Sequence, residues 1–425
     1  MQNRLAAITF FLIIFYPFHT YGQKLVNSPY ARFNLGLLEP SGSFRSAGMG
    51  GISIALSDNS SVFFLNPASY AGIDTNSFIF DFGIDYSINV LKDGDSRYTS
   101  DDMNFDHLMM GFPVTKRLGA AAGILPFSNG YYNIAESVLK GDPGYDPVTG
   151  EYRSYHSGEG GLNSLFVGAG INITKNLSAG INMTVLFGQI NRANQYVFGD
   201  YYNVFHDRNS ERIQLNGLNF DYGVQYTATI KKDYFINAGA SFTAAKNYKS
   251  NYENLTLRYT AYTAQDTLTY VEDQANSTLP GTLRFGIAFG KKNKFVTGID
   301  YITSQWSESK IRGSEGFITD SRSIRFGAEL IPDKFSNYSL LQRIEYRMGG
   351  HFDNSYLVIN GEQIKEIGFG IGIGLPMPRS LSKTNIFIDY TRKSGPGENM
   401  HTENYFTFGV SLNLYDFWFI KQKYD

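Results

Sequence analysis

The chain has 425 residues, of which 42% are hydrophobic, 16% aromatic and only 18% charged, and it contains 44 Gly and no Cys. The absence of Cys excludes a disulfide scaffold, a thiolate zinc site and a cysteine nucleophile. A net charge of −2 leaves no electrostatic footprint for nucleic acid. Mean hydropathy is nonetheless slightly negative, at −0.24, which indicates that apolar residues alternate with polar ones instead of forming blocks.

Residues 1–22 have the pattern of a secretory signal peptide. Arg4 supplies the positive charge, residues 5–17 form an apolar run, and the small residues Thr20 and Gly22 precede the predicted cleavage site. An N-terminal membrane anchor is the alternative, but this run of about 13 residues is shorter than the ~20 that a spanning helix needs. We therefore expect export through a cleaved signal peptide to the outer membrane of a Gram-negative bacterium.

Residues 23–75 differ in composition from the rest of the chain. They are rich in Gly, Ser, Ala and Asn, and they contain only short apolar stretches such as residues 52–56. The pattern indicates one or two short helices at most, without a long amphipathic element. We predict that these residues form an N-terminal plug, or hatch, for the domain that follows.

From residue 76 onward the chain alternates between apolar and polar residues. Between Ser77 and Val90 one face of the predicted strand is apolar, and the other is rich in Asp, Ser, Gly and Asn. Several such runs reach 9–14 residues, whereas soluble strands average about 5–6 residues and membrane-spanning strands need about 9–11. The sequence therefore predicts an all-β fold, a transmembrane antiparallel β-barrel with a polar lumen. A soluble β-sandwich, the alternative, would not accept a core face crowded with Gly and charge.

The periodic runs allow the strands to be counted. They give about 14 strands between residues 76 and 417, an even number, as single-chain bacterial barrels require. Counts of twelve or sixteen remain open. Short polar connections such as residues 231–233 are expected on the periplasmic side, and longer ones such as residues 93–102 outside. Residues 418–425 are predicted to form a tail beyond the last strand.

The N-terminal segment carries a motif. A block of small residues, 45–51, is followed by a Ser-rich stretch, residues 57–61, and then by Phe64–Ala68. This arrangement lies directly before the approximately fourteen predicted strands. In sequence and in position it resembles the hatch of the FadL/TodX family of outer-membrane transporters for hydrophobic compounds. Ser69 and Tyr70 stand where that family usually has Gly. A related branch, the PorV-like barrels that accompany type IX secretion, shares the fold and much of the same signature.

The resemblance implies how such a channel is gated. Asn66, Pro67 and Ala68 would form a rigid turn of the plug, since Pro restricts the backbone and Asn bonds to its own backbone. That turn would sit beside an inward kink in the third strand and help to gate a lateral exit. Pro cannot donate to a β-ladder and marks an edge, an end or a bulge. The candidate kink is formed by Pro126, Phe127, Ser128, Asn129 and Gly130. For residues 66–68 the alternative is an ordinary turn that leads into the first strand.

Two further features of the predicted lumen bear on the plug. The inward positions of one strand near the C-terminus are all Gly: Gly368, Gly370, Gly372 and Gly374. We expect the plug backbone to pack against this bare wall, and a widened ligand path is the alternative. Charges of both signs at inward positions, among them Asp300, Arg325 and Glu329, are predicted to form a structural ladder that holds the plug.

The sequence offers little support for catalysis. Its six His show no HExxH spacing, and neither a GxSxG elbow nor a phosphate-binding loop is present. We therefore predict a protein that is not an enzyme and uses no metal and no other cofactor. A barrel-embedded lipid hydrolase would need only one Ser and one His on a wall, so that alternative stays open.

The predicted function is passive uptake of hydrophobic small molecules, such as long-chain fatty acids, with lateral release into the bilayer. The predicted partners are a hydrophobic ligand and the membrane lipids, including lipopolysaccharide, and the barrel is expected to be a monomer that binds no nucleic acid. The alternative is a PorV-like role as partner or shuttle in protein secretion, in contact with a translocon subunit. A structural porin is a third reading of the same pattern.

Overall fold

The computed structural model describes residues 28–417, except residues 41, 143–144, 200–204, 232, 261–265, 312–317, 379, 396 and 398–399. The predicted signal peptide and C-terminal tail lie outside the described residues. The strands are β1 (Leu37–Leu38), β2 (Ser77–Asp93), β3 (Ser96–Pro113), β4 (Leu118–Asn129), β5 (Tyr132–Val138), β6 (Tyr152–Asn172), β7 (Leu177–Phe198), β8 (His206–Lys231), β9 (Tyr234–Thr243), β10 (Lys246–Tyr259), β11 (Asp266–Leu279), β12 (Thr282–Lys291), β13 (Phe295–Ser304), β14 (Ser321–Leu330), β15 (Glu345–Ile359), β16 (Glu362–Pro376), β17 (Lys383–Ser394) and β18 (Thr402–Phe417).

The helical elements are all short. Two are single turns of α-helix, α1 (Phe44–Ala47) and α2 (Leu340–Arg343), and the 3₁₀ turns are Pro29–Arg32, Pro67–Gly72 and Trp306–Glu308. No helix among the described residues is long and apolar enough to cross a bilayer.

Strands β2 to β18 form the wall of one closed antiparallel barrel. β18 pairs with β2 along its whole length, from Thr402↔Lys92 to Phe417↔Ser77, and this pairing closes the sheet. In three places two consecutive strands together occupy a single strand position of the wall: β4 with β5, β9 with β10, and β11 with β12. For example, β8 pairs with β9 near one end and with β10 near the other. The barrel therefore has fourteen strands, which confirms the predicted fold class.

The breaks between β9 and β10 and between β11 and β12 were not predicted, because the alternation continues across them, whereas the break between β4 and β5 adjoins the candidate kink at residues 126–130. β4 and β5 are separated at residues 130–131, β9 and β10 at residues 244–245, and β11 and β12 at residues 280–281. The last break falls at Pro280-Gly281, where the missing N–H of Pro interrupts the ladder. Conversely, most of the predicted outer loop 93–102 is strand, because β2 and β3 join in a tight turn over Gly94, which has a positive φ of 54°.

The two faces of the wall have the distribution expected of a membrane barrel. On β8, the outward Leu218, Tyr222 and Val224 are 39–49% exposed, whereas the inward Asp221 and Gln225 are 9% and 3% exposed. The same inside-out pattern recurs on most strands, so large apolar side chains cover the outside. This band of outward apolar side chains is the surface that contacts lipid.

The alternation inverts where the longer strands leave this band. On β8 the apolar residues that follow Gly217 in the chain point outward. Before Gly217 the pattern is reversed: Ile213 and Leu215 are almost fully buried inside, and the polar Arg212 and Gln214 point outward. β6, β7 and β8 have 21, 22 and 26 residues, whereas β13 and β14 have 10 each. One half of the barrel is thus much taller than the other, and its extension stands above the bilayer on the side opposite the short turns.

A charged side chain on the outward apolar band should lower the free energy of unfolding by an amount that depends on its depth in the bilayer. Replacement of Ile299, which is 60% exposed on β13, by Arg is expected to lower the free energy of unfolding by about 2–4 kcal/mol, the usual cost of Arg near the bilayer midplane. In the control Asn216→Arg the charge stands on the outward face just above the band and should cost about 0–1 kcal/mol. Denaturant unfolding in phospholipid vesicles measures both. Equal losses would contradict the placement of the band.

Candidate functional site

The described part of the N-terminal segment, residues 28–75 except residue 41, lies inside the barrel. Its backbone touches the wall at several points where the wall residue is Gly. A Cβ atom on Gly327 of β14 would lie 2.1 Å from the Met49 carbonyl oxygen, and one on Gly239 of β9 would lie 2.1 Å from the Ile54 carbonyl oxygen. Similar contacts occur at Gly180 of β7, against Pro67, and at Gly372 of β16, against Gly48. Those two strands lie on opposite sides of the barrel, so the segment fills the width of the lumen.

Asn66, Pro67 and Ala68 form the start of a 3₁₀ turn that rests on the wall. The Asn66 side chain is fully buried; its oxygen accepts from the Ala68 N–H at 3.2 Å, and its nitrogen donates to the Ile54 carbonyl at 2.8 Å. A Cβ atom on Gly180 of β7 would lie 2.4 Å from the Pro67 carbonyl carbon. Asn66 thus links two parts of the segment to each other while the turn packs against glycines of the wall.

The turn reaches the third barrel strand through its next residues. A Cβ atom on Gly119 of β4 would lie 1.9 Å from the Tyr70 carbonyl oxygen. The Tyr70 ring and Leu125, which precedes Pro126, belong to the same buried apolar cluster. The link between Asn66–Ala68 and Pro126 therefore runs through Tyr70 and Leu125.

The regular ladder of the third strand is interrupted at Pro126–Gly130, the stretch for which an inward turn was predicted. The β4–β6 register shifts between Pro126 and Ser128, and β4 ends at Asn129. On its other side this stretch pairs with β1: Leu37 lies opposite Asn129 and Leu38 opposite Ser128. The sequence did not indicate β1, because two strand residues are too few to show a period.

A gap in the wall accompanies this inward turn. β3 pairs with β4 only from Pro113↔Gly119 to Leu108↔Ile124, and β5 pairs only with β6 among the described residues. Among the described residues, the part of β3 that precedes Leu108 in the chain therefore pairs with β2 alone. Its outward Met103 and Phe105 are 61% and 41% exposed, so the gap opens at the level of the apolar band.

Apolar side chains line the tall half of the lumen behind the gap. They come from the walls and from the N-terminal segment, and the buried members are Tyr30, Leu35, Leu162, Leu186, Ile190, Ile213, Leu215, Tyr248, Leu279, Trp306, Ile311, Tyr356, Leu357 and Ile364. Phe127, Leu37 and Leu38, at the inward turn, pack against this upper cluster. The sequence feature that could have indicated this cluster is the inverted alternation on β8, where Ile213 and Leu215 occupy inward positions.

The four glycines of β16 have different neighbours. Cβ atoms on Gly370 and Gly372 would lie 3.1 Å from the Ala47 carbonyl oxygen and from the Gly48 Cα, both in the N-terminal segment. A Cβ on Gly368 would instead collide with the His351 ring, and one on Gly374 with the Arg347 guanidinium, both on β15. Two of these positions thus face the segment, and two leave room for side chains of the neighbouring strand.

A buried ion network ties the segment to the wall. The Arg45 guanidinium of α1 donates two hydrogen bonds to Glu329 of β14, at 2.8 and 3.0 Å, and lies 2.7 Å from Asp58. Arg347 donates to the same Glu329 at 2.7 Å. Burial would raise the pKa of Asp58, but the Arg45 guanidinium outweighs burial and holds this pKa well below its usual range.

Polar wall side chains also bind the backbone of the segment. The Asp300 carboxylate accepts from the Ser53 and Ile54 N–H groups at 2.6 and 2.9 Å. Wall amides donate to backbone carbonyls of the segment: Asn172 to Ala71, Asn182 to Phe64, Gln225 to Ile54 and Leu56, and Asn237 to Ala55. Inward Asp300 and Glu329 therefore hold the segment, whereas the amide contacts were not anticipated.

The geometry offers no metal-binding arrangement within the described residues, where no three His, Asp or Glu side chains converge on one point. The chemistry that the lumen does offer is apolar contact and hydrogen bonding.

Glu39 is the titratable residue closest in sequence to β1. Its N–H donates to the Phe127 carbonyl at 3.0 Å, which extends the β1–β4 pairing by one residue. Burial, followed by the negative charge of Asp85, raises the pKa of Glu39 from 4.5 to about 7. The other charged groups that act on it are Asp106, Glu366 and Lys393.

Loss of the Glu329 carboxylate should loosen the segment. Glu329→Gln leaves Arg45 and Arg347 facing each other without a shared counter-charge, and we expect the free energy of unfolding to fall by about 3–5 kcal/mol, as for other broken buried pairs. The control Arg212→Gln removes an exposed pair with Glu253, whose side chains are 55% and 37% exposed, and should cost below about 1 kcal/mol. Urea unfolding measures both, and a small loss in Glu329→Gln would argue against the network as the tether.

Glu39 should make stability depend on pH. The folded protein keeps this proton up to about pH 7, whereas the unfolded chain releases it near pH 4.5, so the contribution of Glu39 to stability declines as the pH rises between these values. Glu39→Gln removes this decline. The variant should therefore melt like the wild type at pH 4 but at a higher temperature at pH 8, while the exposed control Glu362→Gln should match the wild type at both. An unchanged difference between pH 4 and pH 8 would contradict the raised pKa.

Comparisons with known proteins agree with this architecture. The family model BamG matches residues 3–425. The solved toluene transporter TodX of Pseudomonas putida has 13% identity and a TM-score of 0.58, over 90% of this chain and 99% of that chain. A FadL homologue of Pseudomonas aeruginosa has 12% identity and a TM-score of 0.57, over 89% and 99%, and the toluene transporter TbuX of Ralstonia pickettii has 13% and 0.52, also over 89% and 99%. A search of curated proteins gives no match.

At this level of identity the solved structures show the fold, and they confirm the resemblance to FadL/TodX-type outer-membrane barrels. TodX and TbuX are themselves described as toluene transporters. The predicted role in protein secretion stays a prediction, since none of the three structures is described as a secretion partner. Because the family model spans nearly the whole chain, the protein belongs to the BamG family, and its fourteen-strand fold is that of an outer-membrane β-barrel.

Proposed function

We propose that this protein is an outer-membrane channel through which hydrophobic small molecules diffuse passively and leave sideways into the bilayer. The observation that carries the proposal is the gap between β3 and the third strand above the Leu108↔Ile124 pair. The gap lies among outward apolar side chains, so it faces lipid. A hydrophobic solute gains free energy when it leaves water, and an exit into lipid spares it a second aqueous crossing.

The interior behind the gap supports the same route. The upper cluster surrounds the lumen with aliphatic and aromatic side chains, and the Trp306 and Tyr356 rings lie with their centroids 4.4 Å apart. Phe127 and Leu38 connect this cluster to the inward turn. A solute that enters from outside would thus meet apolar contacts from the tall half of the barrel down to the gap. Long-chain fatty acids and small aromatic compounds both suit such a surface.

We assign residues 23–75 the role of the plug in residues 76–417, the barrel. Tyr30 and Leu35 occupy the upper cluster, and the Tyr356 hydroxyl donates to the Gly36 carbonyl at 2.6 Å. A solute must displace these residues to bind there, and their movement would release β1 from the turn at Pro126–Gly130. The turn at Asn66–Ala68, held by fully buried hydrogen bonds, would stay in place as the fixed part of the plug.

Away from the gap, the wall needs no protein partner within the bilayer. Its strands close on themselves, and the outward band would be covered by membrane lipids below and by lipopolysaccharide at the outer surface. Away from the gap, the wall has no sheet edge to join to a second copy in the bilayer, and we therefore propose that the protein is a monomer.

Uptake by vesicles tests the proposal. Full-length protein reconstituted into phospholipid vesicles should admit radiolabelled oleate or toluene faster than empty vesicles do, but it should not admit glucose. Entry of glucose at a similar rate would instead identify a porin. If the protein neither binds nor admits either hydrophobic compound, the transport function is wrong.

A disulfide variant tests the route in the same assay. Leu38→Cys with Ser128→Cys joins register partners, whose Cα atoms in an antiparallel ladder lie about 4.5–5.5 Å apart, within the range of a disulfide. The oxidised variant should lose uptake and regain it on reduction. The control pair Leu283→Cys with Thr303→Cys links β12 to β13 and should transport normally in both states. Uptake by the oxidised Leu38–Ser128 variant would contradict displacement of β1.

A further inference from the structure

We propose that the periplasmic rim between β12 and β15 binds an anionic phospholipid of the inner leaflet of the outer membrane. The rim site consists of residues 291–295, around the β12–β13 turn, and residues 331–344, the β14–β15 loop. The inference depends on the placement of the barrel in a bilayer and not on the transport function. It rests on an apolar loop that continues the lipid-facing band, on a local excess of positive charge and on an unpaired Arg donor.

The β14–β15 loop is long for its side of the barrel. It has 14 residues, whereas the other connections on the side of the short turns, the predicted periplasmic side, have two to six. Ile331 and Ile344 at its two ends are buried, and the Asp333 N–H donates to the Gln342 carbonyl at 2.7 Å. The loop is therefore a folded element with its own hydrogen bonds.

The large apolar side chains of this loop are exposed. Phe335, Tyr338, Leu340 and Leu341 are 72%, 101%, 49% and 67% exposed. The described parts of the other connections on this side expose at most one large apolar side chain each. Apolar surface in water costs free energy, and a cluster of such side chains marks an interaction site.

The position of the loop favours lipid as the occupant. The last residues of the wall at this rim lie opposite one another in register and form the foot of the outward band: Tyr234, Lys291, Phe295, Leu330 and Tyr346. The Tyr346 hydroxyl donates to the Leu341 carbonyl at 3.0 Å, which places α2 directly beside this foot. Aromatic residues at such a level usually lie among lipid headgroups. The apolar loop thus continues the surface that lipid covers.

The charge of the rim site indicates an anionic headgroup. Although the whole chain has a net charge of −2, the rim site contains one carboxylate, Asp333, and five cations: Lys291, Lys292, Lys294, Lys334 and Arg343. Three of the Lys ammonium groups contact neutral groups, namely the Tyr234 ring at 5.1 Å from its centroid, the Pro332 carbonyl and the Asn293 side-chain oxygen. Their charge is therefore left to act on the membrane surface, where each Lys or Arg attracts anionic lipid.

Arg343 supplies a donor that lacks an acceptor. It is the last residue of α2, and its Nε is shielded from solvent without a hydrogen-bond partner among the described residues. Shielded polar atoms of this kind are nearly always paired in folded proteins. A phosphodiester oxygen would supply the missing acceptor, since the guanidinium geometry matches phosphate. One helical turn thus carries both Leu340 and Leu341 for acyl chains and Arg343 for a headgroup.

Native mass spectrometry of the full-length protein in detergent micelles tests the binding. Phosphatidylglycerol should bind about tenfold more tightly than phosphatidylcholine with the same acyl chains, and an excess of inorganic phosphate should not displace it. The triple variant Lys292→Gln, Lys334→Gln, Arg343→Gln should lose this preference. The control Lys116→Gln, Arg117→Gln, Lys175→Gln removes the same charge from exposed positions in other turns on the same side and should keep it.

A second measurement tests the depth of the loop. The chain has no Cys, so Leu341→Cys provides a single site for a nitroxide spin label. In vesicles that contain phosphatidylglycerol this label should collide more often with oxygen, which partitions into lipid, than with a water-soluble nickel complex. The control Lys175→Cys, in a short polar turn, should show the opposite preference.

Several results would overturn the proposal. Equal affinities for the two lipids, or equal losses in the two triple variants, would show that the rim holds no selective site. Displacement by inorganic phosphate would identify a soluble phosphate compound as the ligand instead. A label in Leu341→Cys as accessible to the nickel complex as the label in Lys175→Cys would place the loop in water and identify it as a surface for a soluble protein.

Discussion

Every backbone N–H and C=O group that crosses a bilayer must find a hydrogen-bond partner, because lipid offers none. This barrel meets the requirement by closing β18 onto β2, and it departs from full closure where the third strand leaves β3. There the third strand finds its new partner inside, in Leu37 and Leu38. The gap in the wall and the N-terminal segment are thus parts of one arrangement, since the strand can turn inward only where another piece of the chain supplies its missing ladder.

The same requirement explains how the segment is held. It has little regular secondary structure, so its own carbonyl and N–H groups need partners, and wall side chains such as Asn182, Gln225 and Asp300 supply them. Wall glycines allow the two backbones to approach. The Arg45–Glu329 pair adds a buried contact that adds little net stability while intact but is costly to break. Such contacts favour one position of the segment over sliding alternatives, whereas the apolar contacts of Tyr30 and Leu35 above them are less directional.

The barrel is tall on one side, and this asymmetry separates two surfaces. At the level of the lipid, apolar residues point outward and polar residues inward; above it, on β8, the two exchange places at Gly217. The exchange creates an apolar lumen beneath a polar outer sheet that stands in water. It also leaves a sheet edge that borders the gap, where β5 pairs with β6 alone among the described residues.

The amino-acid sequence by itself determined the period of two, an estimate of about fourteen strands, the resemblance to hydrophobic-compound channels and the presence of a distinct segment before the barrel, because each of these follows from local residue types. It also placed Glu329 and Asp300 on the inward face. It could not locate β1 or the end of the β3–β4 ladder, nor choose the neighbours of Gly368 and Gly370. Those features depend on which distant backbone lies beside each strand, and a strand has the same alternation whether its edge is paired, broken or open. Only the tertiary structure therefore decided where the wall parts and which residues fill it.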